Sequence, residues 1–487
     1  MTSVDIPTMS PARGVSPDLP LALRAASPRV AVIGDHMLDG WWEGTSERIS
    51  REAPAPVVDL QEKLFSPGGA ANTAMNLASL GARVSAIGII GDDEPGHRLR
   101  TLLLEAGVDV SGLVPFPRVK TTTKTRILGG DQVLVRLDER QAGPFPATAR
   151  ELLMETVHVV GADSDAEVIC DYSSGLLDED LIAAMARRRT RPPVCVVDAH
   201  DAARWSPLRP TLVTPNAAEA SAILGFPLSR AHDRPAVVAE HAAELLERTG
   251  AHAVVVTLDR EGTVVLDRSG FAHRTWARPS TEKLASGAGD TFVATATLAM
   301  ASGLPLPTSA DLAQTAADIV VQRFGTSVCS TEDLVAALGS PRDEALTEDE
   351  LIERLEQERA QGRRVVFMNG CFDVLTRGHT VSLRRAKRLG DVLVVAVNDD
   401  ASVARLRGQQ PVNPAADRAN VLAALECVDY VTVFSTDTPV PLLERVRPDV
   451  YVKGGDYLTE PAQEAAVVRR HGGQVRILDY VPEREAL

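Results

Sequence analysis

Cysteine is scarce in this sequence of 487 residues, and the few cysteines are scattered along it. They are Cys170, Cys195, Cys329, Cys371 and Cys427. No two of them form a CxxC pair and their number is odd, so the pattern indicates neither a zinc site nor a disulfide framework. Separated thiols of this kind are typical of a reduced environment and predict a cytoplasmic protein.

Long apolar runs and an excess of basic residues are also missing. No run approaches the ~18 apolar residues that a membrane span needs, so no contact with a membrane is predicted. Lys and Arg number 51 against 66 Asp and Glu, and the net charge of −15 argues against a protein that coats nucleic acid. Residues 1–28 are rich in Pro, Ser and Ala but lack the charged start and apolar core of a signal peptide. We expect them to form a flexible N-terminal extension.

The sequence does contain a recurring alternation of short β-branched runs, turn signals and helical patterns. Before residue 330 the runs lie at residues 30–34, 84–91, 168–171, 194–198 and 253–258. Buried parallel strands have continuous apolar sequences, so the chain is predicted to be an α/β protein. Two runs end in an aspartate, Asp171 and Asp198, at the strand end where α/β sheets place their ligands.

The composition changes after Cys329, and this change predicts a domain boundary. Residues 331–363 are charged, and Thr347-Glu348-Asp349-Glu350 has the pattern of a capping box at the start of a helix. A second α/β alternation then begins near Val365. We expect a larger domain at 29–330, a charged linker with a helix at 331–363 and a smaller domain at 364–487.

One glycine-rich segment, Gly287-Ala288-Gly289-Asp290, precedes an apolar helical stretch. Small residues let backbone N–H groups approach phosphate oxygens, and the start of a helix favours negative charge. Asp290 would then lie beside a transferring phosphate and could accept a proton from an attacking hydroxyl. Taken alone, the segment is equally consistent with a plain tight turn in which Asp290 is the N-cap.

Further motifs in the same order give this segment a context. They are GGAAN at residues 68–72, TPN with Glu219 at 214–219, Thr257-Leu258 with Gly262, and SGAGDTF at 286–292. In this order they resemble the signatures of the ribokinase-like (PfkB) sugar kinases. The resemblance implies a ribokinase-like three-layer α/β/α domain and phosphoryl transfer from MgATP to a sugar.

The resemblance also implies a role for each matching residue. Asp290 would be the catalytic base, and Gly287, Ala288 and Gly289 would form the anion hole. The sugar would be bound by Asp39, Gly69 and Asn72, with Lys124 and Arg126 on a phosphate already attached to it. For Lys124 and Arg126 a solvated β-edge is the open alternative. Asn216 and Glu219 would lie near Mg²⁺, with Thr257 and Gly262 at the nucleotide.

Two positions depart from the pattern of these kinases. Ser174 stands where the matching DYxKG stretch usually has lysine, which leaves the identity of the substrate open. Leu284 stands where relatives often have an aspartate that helps to bind a monovalent cation, so K⁺ remains an open cofactor beside Mg²⁺. No residue is singled out as a direct metal ligand.

A second glycine-containing segment lies about 80 residues further on, with Asn369-Gly370-Cys371-Phe372-Asp373 followed by Thr376-Arg377-Gly378-His379. It resembles the (H/T)xGH signature of the cytidylyltransferase-like superfamily, which implies a Rossmann-like nucleotidyltransferase domain. Attack on the α-phosphate of a nucleoside triphosphate needs a hydrogen-bonding, positive cradle, which His379 and the helix start would supply. The alternative for an isolated GH is a structural histidine.

Further motifs lie at residues 397–400 (VNDD), 405–408 (RLRG), 411–413 (PVN), 417–418 (DR) and 452–457 (VKGGDY). Together they resemble the adenylyltransferase half of the bifunctional heptose kinase–adenylyltransferases. By this resemblance Arg418 and Lys453 would meet phosphates, and Asp373 and Asp456 would line the substrate and nucleotide pocket. The remaining candidate residues of this site are Asn369, Gly370, Phe372, Thr376 and Gly378.

The two resemblances together predict a bifunctional enzyme that forms an ADP-activated heptose from a heptose phosphate and ATP, and that assembles as a homo-oligomer, a dimer. Two alternatives stay open. One is a sugar kinase with a degenerate second domain, because the sequence ends at Leu487 where relatives usually continue. The other is a non-catalytic sugar-phosphate sensor, which would have no need of a carboxylate at position 290.

Overall fold

The computed structural model describes residues 15–16, 18–130, 132–141, 143–229, 233–277, 285–339, 345–360, 362–425, 427–454 and 462–478. The chain divides into two compact units, residues 1–339 and 340–487. Among the helices of the described residues, none is long and apolar enough to cross a membrane.

The first unit alternates strands and helices along most of its length. Its strands are β1 (Arg29–Gly34), β2 (His36–Ile49), β3 (Pro56–Gly69), β4 (Arg83–Gly91), β5 (Asp109–Phe116), β6 (Thr122–Gly129), β7 (Gln132–Glu139), β8 (Ala166–Asp171), β9 (Val194–Ala199), β10 (Leu212–Val213), β11 (Ala253–Thr257), β12 (Thr263–Asp267), β13 (Gly270–Thr275), β14 (Ala285–Ser286) and β15 (Gly325–Thr326). Its helices are α1 (Leu19–Ala26), α2 (Ala70–Ser79), α3 (Glu94–Glu105), α4 (Ala147–Val160), α5 (Glu179–Ala186), α6 (Ala217–Leu224), α7 (Arg234–Glu240), α8 (Ala242–Thr249), α9 (Ala288–Ala301), α10 (Leu306–Val321) and α11 (Thr331–Gly339).

A nine-stranded sheet forms the middle layer of this unit, in the order β13-β12-β11-β10-β9-β8-β1-β4-β5. The strands from β11 to β5 in that order pair in parallel, and β12 and β13 add an antiparallel edge. Alternate residues of β1 enter different cores, with Val30 and Val32 on one face and Ala31 and Ile33 on the other. Both faces are therefore covered by helices, and the predicted three-layer α/β/α architecture is confirmed.

A separate four-stranded sheet, in the order β3-β2-β6-β7, carries part of the candidate sugar site. Strand β2 pairs in parallel with β6, which places Asp39 opposite Lys124 and Trp41 opposite Arg126. Residues opposite each other in neighbouring strands project from the same face of a sheet. One face of this small sheet therefore presents Asp39, Lys124 and Arg126 together.

Part of the expected N-terminal extension, residues 1–28, belongs to the core. Leu19–Ala26 form α1, and Leu19 and Leu23 are buried in the same core as Val30 and Val32. Burial of two leucine side chains stabilises the folded chain by several kcal/mol (~1.5–3 kcal/mol each), which is enough to dock this short helix. Residues 1–14 and 17 lie outside the described residues.

The second unit contains one parallel sheet in the order β18-β17-β16-β19-β20. Its strands are β16 (Val365–Gly370), β17 (Val392–Asn398), β18 (Tyr430–Phe434), β19 (Val450–Lys453) and β20 (Gln474–Ile477). Its helices are α12 (Glu348–Ala360), α13 (Arg377–Lys387), α14 (Asp400–Arg407), α15 (Ala415–Ala423), α16 (Val440–Val446) and α17 (Ala462–Arg470). Val365 and Phe367 of β16 enter one core while Val366 and Met368 enter another, so this sheet is also covered on both faces.

The charged segment expected as a linker at 331–363 contains two helices. Helix α11 packs in the first unit, where Leu334 is buried. Helix α12 packs in the second unit through Leu351 and Leu355, and its start has the capping box that the sequence predicts. In that box Glu350 N–H donates to Thr347 Oγ1 at 3.3 Å and Thr347 N–H donates to the Glu350 carboxylate at 2.8 Å.

Candidate active sites

The candidate kinase site is built around the turn between β14 and α9. Gly287 is the N-cap of α9 with φ +88°, in the left-handed region that favours glycine. A Cβ at this position would lie 2.3 Å from Asn72 Nδ2, so a side chain here would displace the asparagine. Around Gly289, no described heavy atom outside the local helix backbone lies within 4 Å of a Cβ position. Gly287, Ala288 and Gly289 thus lie at a helix start, where N–H groups favour an anion, and there is open space beside Gly289.

Asp290 lies in the first turn of α9, and its carboxylate accepts two side-chain hydrogen bonds. Asn72 Nδ2 donates to Oδ2 at 2.8 Å, and the Tyr172 hydroxyl lies 2.9 Å from Oδ1. The N-cap of the helix is Gly287, so the interpretation of Asp290 as the cap of a plain turn is wrong. The carboxylate is held by residues that are distant in the sequence.

Burial and the negative charge of Asp198 raise the pKa of Asp290 to about 7. Removal from water disfavours the charged form of a carboxyl, and a nearby like charge does the same. A carboxyl with this pKa is about half ionised at neutral pH and accepts a proton more readily than an exposed aspartate does. Asp290 therefore has the electrostatics of a general base.

Asp39 is 5% exposed and lies close enough to Asp290 for its charge to contribute to the raised pKa of that carboxyl. Its Oδ2 accepts a hydrogen bond from Thr326 Oγ1 at 2.9 Å and lies 3.6 Å from Arg126 Nη1. Asp39 Oδ1 and Arg126 Nη1 are buried without a hydrogen-bond partner in the described part of the chain. Buried polar atoms in this condition are costly unless a ligand completes them, and sugar hydroxyls and phosphate oxygens are suitable partners.

Arg126 does not belong to a solvated edge strand, which was the alternative interpretation. Strand β6 lies between β2 and β7, and the Arg126 side chain is only 15% exposed. The guanidinium lies over the Trp41 ring at 4.6 Å from its centroid and donates to Ser286 Oγ at 3.3 Å. Lys124 Nζ lies 5.9 Å from the centre of the Tyr172 ring. The structure therefore gathers cationic side chains beside Asp39 and the glycine turn.

Gly69 lies at a point of close packing where there is no room for a side chain. It has φ +56°, and a Cβ here would lie 3.0 Å from the Tyr172 ring and 2.8 Å from Asp35 O. The glycine therefore lets β3 and the start of α2 approach the loop that follows β8. Asn72, in the first turn of α2, reaches Asp290 as a consequence.

Asn216 and Glu219 form a capping box at the start of α6. The Asn216 side chain accepts from the Ala218 and Glu219 N–H groups at 2.9 and 3.0 Å, and Glu219 Oε2 accepts from the Asn216 N–H at 2.9 Å. Asn216 also forms a bridge to Thr257 at the end of β11. Burial, reinforced by the charge of Asp198, raises the pKa of Glu219 to about 7.

The surroundings of Glu219 fit a magnesium ion that arrives with ATP. Only Oε2 takes part in the capping box, and the raised pKa indicates that a cation would stabilise the ionised carboxylate. A cavity of about 540 Å³ opens beside it, lined also by His200, Asp201 and Arg248. Among the described residues no three or more His, Cys, Asp or Glu side chains are grouped to hold a metal. Protein sites for Mg²⁺ in phosphoryl transfer commonly use one or two carboxylates plus substrate phosphates.

Gly262 closes the turn between β11 and β12. It has φ +77°, and a Cβ there would lie 2.0 Å from Thr275 O. Leu284 lies outside the described residues.

Two residues of the kinase site were not predicted from the sequence as site residues. Asp198 is the next-to-last residue of β9, and Tyr172 follows β8. The Tyr172 hydroxyl lies 2.5 Å from Asp198 Oδ2 and 2.9 Å from Asp290 Oδ1. The signal for Asp198 was its place at the end of an apolar strand. Nothing local indicates that Tyr172 contacts both carboxylates, because β8 and β9 are neighbours only in the folded sheet.

The candidate transferase site begins at the turn between β16 and α13. Thr376 N–H donates to His379 Nδ1 at 3.1 Å, and Thr376 is the N-cap of α13. Because Nδ1 is an acceptor here, the neutral imidazole carries its proton on Nε2 and can donate from that atom. His379 and Gly378 lie in the first turn of the helix, where N–H groups favour an anion. The histidine is therefore both structural and chemically suited to a phosphate.

Residues at the end of β16 and in the loop after it pack around His379. Phe372 is 6% exposed, has φ +46°, and its ring meets the His379 ring edge-on at 5.6 Å between centroids. A Cβ at Gly370 would lie 3.0 Å from the Phe372 ring, so the glycine admits this packing. Asn369 Oδ1 accepts a hydrogen bond from the Tyr451 hydroxyl at 2.8 Å, which ties β16 to β19.

Arg418 is buried among protein acceptors. Its guanidinium donates to Asn413 O at 2.9 Å, Cys371 O at 2.5 Å and Asp400 Oδ1 at 2.7 Å. Asp373 accepts from the Asn413 N–H at 3.0 Å, and this backbone contact lowers the pKa of the carboxyl. Arg418 thus holds together the loop after β16 and the segment before α15. A direct contact between Arg418 and a phosphate stays a prediction.

Lys453 ends β19 and is largely buried, with its Nζ 5.7 Å from the centre of the Tyr451 ring. Burial lowers the pKa of Lys453 below its ordinary value. A buried ammonium gains from an anionic partner, so its position favours the predicted phosphate contact. Asp456 lies outside the described residues.

Comparisons with protein-family models agree with this geometry. The pfkB family carbohydrate kinase model matches residues 27–334, and the cytidylyltransferase-like model matches residues 367–484. The fold and the sites therefore define an enzyme in which a carbohydrate kinase is joined to a nucleotidyltransferase. Both resemblances inferred from the motifs are confirmed.

The full-length relatives identify the family. Bifunctional protein HldE of Geobacter metallireducens is 39% identical over 463 residues, covering 93% of this chain and 93% of the relative. Bifunctional protein HldE of Halorhodospira halophila is 40% identical over 459 residues, covering 92% and 94%. The chain belongs to the family of bifunctional HldE proteins.

Solved structures match the first unit. Phosphofructokinase-2 from Escherichia coli in complex with substrates and products aligns with a TM-score of 0.54 and 21% identity, covering 64% of this chain and 98% of the other. Ribokinase from Thermotoga maritima aligns with a TM-score of 0.51 and 18% identity, covering 64% and 100%. At this identity the matches show the fold alone, and the ribokinase-like fold is confirmed.

Proposed function

We propose that the first unit phosphorylates the C1 hydroxyl of D-glycero-D-manno-heptose 7-phosphate with ATP, and that the second transfers AMP from ATP to heptose 1-phosphate. The observation that carries this proposal is the Asp290 carboxyl. It is half-buried at a glycine turn, has a pKa of about 7, and lies near enough to Asp39 for that charge to act on it, with Arg126 3.6 Å from Asp39.

In the kinase step Asp290 accepts the proton of the C1 hydroxyl as the hydroxyl oxygen attacks the γ-phosphorus of ATP. The bond from the γ-phosphorus to the bridging oxygen breaks, and ADP leaves. Backbone N–H groups of Gly287, Ala288 and Gly289 stabilise the charge on the transferring phosphoryl group. Asn72 holds the base, so the reacting hydroxyl meets a fixed carboxylate.

The remaining pocket residues bind the ends of the sugar phosphate. Asp39 Oδ1 accepts a hydrogen bond from a sugar hydroxyl, which completes a buried atom without a partner among the described residues. Arg126 and Lys124 bind the 7-phosphate, for which a bidentate guanidinium is well suited. A sugar without that phosphate would leave Arg126 Nη1, which has no hydrogen-bond partner among the described residues, without an acceptor.

Magnesium enters with ATP, and Glu219 would hold it beside the phosphates through Oε1, while Asn216 fixes the start of α6. Bound there, Mg²⁺ would neutralise phosphate charge during transfer. We propose that the kinase does not need potassium, because Leu284 offers no carboxylate to a monovalent cation. The expected result is the same kinase rate in potassium chloride and in sodium chloride at equal ionic strength. A rate that collapses in sodium would contradict it.

In the transferase step an oxygen of the sugar 1-phosphate attacks the α-phosphorus of ATP and pyrophosphate leaves. His379 donates from Nε2 to the phosphates, and Lys453 supplies a positive charge. No covalent enzyme intermediate is needed. Thr376, Gly378 and the start of α13 position the imidazole, while Asp373 lines the pocket.

The two alternatives from the sequence are less well supported. A sensor would not need a carboxylate of raised pKa beside the anion-binding turn. A kinase with a degenerate transferase would not need the ordered contacts of His379, Lys453 and Phe372. The full-length similarity to bifunctional relatives also favours two activities.

Each activity can be tested with its own substrate, because the phosphate is on C7 in the sugar substrate of the kinase and on C1 in that of the transferase. Heptose 7-phosphate with MgATP should give the 1,7-bisphosphate and ADP by mass spectrometry. Heptose 1-phosphate with MgATP should give ADP-heptose and pyrophosphate. Asp290→Asn should lower kcat of the first reaction about 10²–10⁴-fold while the sugar phosphate still binds. Binding without turnover in the wild-type protein would instead support a sensor.

We also propose that the protein forms a homodimer in the cytoplasm, where ATP is plentiful. The four-stranded sheet leaves Val135 44% and Leu137 46% exposed. These residues lie opposite Ile127 and Thr125, which places both on one face. Burying such a face between two copies would be favourable. Light scattering during gel filtration should give twice the chain mass.

A further inference from the structure

The Tyr172 hydroxyl is shared between two carboxylates of the kinase site. It lies 2.5 Å from Asp198 Oδ2 and 2.9 Å from Asp290 Oδ1. Asp198 belongs to β9 and Asp290 to α9, so the hydroxyl joins the sheet to the helix that carries the base. The role of Asp290 as a base does not by itself explain why the Tyr172 hydroxyl also contacts Asp198.

The loop that carries Tyr172 is itself firmly held. Asp35, just after β1, accepts hydrogen bonds from the Tyr172 N–H at 2.8 Å and from the Ser174 hydroxyl at 2.5 Å. Asp171 accepts from the Ser173 N–H at 3.1 Å and from Trp205 Nε1 at 3.0 Å. The buried carboxylates of Asp35 and Asp171 therefore fix the backbone of the loop that carries Tyr172.

Counting protons shows what the bridge implies. A phenol hydroxyl carries one proton and donates one hydrogen bond at a time. With Asp198 and Asp290 both ionised, one of the two oxygen–oxygen contacts would lack a hydrogen and would be repulsive. Both contacts are satisfied when one carboxyl holds a second proton. Burial raises the pKa of Asp198 and of Asp290, which favours retention of that proton.

We propose that Tyr172 is a positioning residue for the kinase reaction: its hydroxyl fixes the Asp290 carboxylate toward the sugar hydroxyl and links the protonation of Asp290 to that of Asp198. This inference rests on the proposed kinase function. Tyr172 itself stays protonated, because burial raises the pKa of the phenol well above its ordinary value. It acts through Asp290 and does not touch the reacting atoms.

Other charged and titratable groups face this cluster. They are Asp39, Lys124 and Arg126 from the four-stranded sheet, Cys170 from β8, His200 after β9, Glu219 from α6, and Asp35 and Asp171 beside the loop. The tyrosine differs from all of them because it contacts Asp290 and Asp198 at once. Its removal should therefore change the titration of Asp290 without changing the net charge of the site.

The test is Tyr172→Phe in the full-length protein. Loss of a donor to the ionised carboxylate should raise the pKa of Asp290, so the acidic limb of the kcat profile should move up by about 0.5–1 pH unit. The misoriented base should lower kcat at the optimum about 10-fold or more, with KM for both substrates nearly unchanged. The opposite shift is expected for Asp198→Asn, which removes a negative charge beside Asp290.

A matched control is Tyr430→Phe, which removes a phenol that donates to Glu358 Oε1 at 2.6 Å in the second unit. It should leave the kinase pH profile unchanged. The titration of Asp290 is also read without substrate, from the ¹³C-aspartate carboxyl resonance that Asp290→Asn abolishes.

The results of these experiments distinguish a failure of the positioning role of Tyr172 from a failure of the proposed kinase function. An acidic limb and an Asp290 titration that are identical in wild type and Tyr172→Phe would overturn the positioning role. If Tyr172→Phe does not fold, an Asp198→Asn profile that fails to move to lower pH would overturn it as well. A wild-type protein that phosphorylates no sugar phosphate would refute the kinase function, while the carboxyl resonance would still decide the role of Tyr172.

Discussion

The carboxyl group of Asp290 has a pKa of about 7 in the folded chain. The raised pKa makes the ionised group a better base, but ionisation lowers the stability of the fold. An unfolded aspartate titrates near its ordinary pKa of ~3.9. The folded state therefore binds the proton more tightly, and the stability that this binding contributes is fully present below the unfolded pKa. It is lost as pH rises toward the folded pKa.

Asp290→Asn should relieve this loss, because asparagine does not ionise. We expect the melting temperature of the variant, relative to wild type, to rise as the pH is increased from 5.5 to 8. Differential scanning calorimetry at both pH values would measure the difference. A difference that is constant or shrinks with pH would mean that Asp290 does not titrate in this range in the folded chain.

At the scale of elements, the turn between β14 and α9 depends on glycine for two reasons. Gly287 adopts a left-handed φ, and it also leaves room for Asn72. Gly303, just after the same helix, has a similar φ of +86° but nothing within 4 Å of its Cβ position among the described atoms. Both glycines have a left-handed backbone conformation, but a side chain would meet a neighbouring residue only at Gly287.

Gly287→Ala and Gly303→Ala therefore form a matched pair. Each should lose about 1 kcal/mol of stability, because alanine disfavours a left-handed backbone. Only Gly287→Ala should also lower kcat of the kinase, since its methyl group would push Asn72 away from Asp290. Thermal melts and ADP-release assays measure both effects. Equal kinase rates in the two variants would contradict the role assigned to this turn.

Arg418 provides a second prediction at this scale, because its guanidinium joins three acceptors on different segments. Arg418→Lys should destabilise the second unit by about 1–3 kcal/mol, since an ammonium cannot satisfy all three. The control is Arg445→Lys, which alters an exposed ion pair and should be nearly neutral. Urea unfolding followed by circular dichroism would compare them. Unchanged stability with a raised KM for ATP would indicate a phosphate ligand instead.

The sequence predicted elements better than it predicted contacts between them. The apolar runs at β1, β4, β8, β9 and β11 and the glycine turn before α9 depend on local pattern, so they were found. The bridge from Tyr172 to Asp198 and Asp290 depends on which strands become neighbours, and no local pattern encodes that. The buried contacts of Arg418 were hidden for the same reason.

At the scale of the whole molecule, each unit has its own cores and its own site. The nine-stranded sheet and the five-stranded sheet are each packed on both faces within their unit. A domain with a complete core can fold without its neighbour. We therefore expect the two activities to be separable by substitution.

Asp290→Asn should lower only the rate of heptose 7-phosphate phosphorylation, and His379→Ala only the rate of ADP-heptose formation from heptose 1-phosphate. Each variant serves as the control for the other. Product analysis by mass spectrometry on the two substrates would measure both rates in each protein. Loss of both activities in either variant would show that the sites are coupled, contrary to this expectation.

The capping box of Asn216 and Glu219 has a consequence for how this chain can diverge. Because the pair starts a helix, selection for folding alone would preserve it in a descendant that no longer turns over substrate. Asp290 has no such protection, since its ionised form weakens the fold. In related sequences, replacement of Asp290 would therefore indicate loss of kinase activity. Retention of Asn216 and Glu219 would not indicate that the activity is retained.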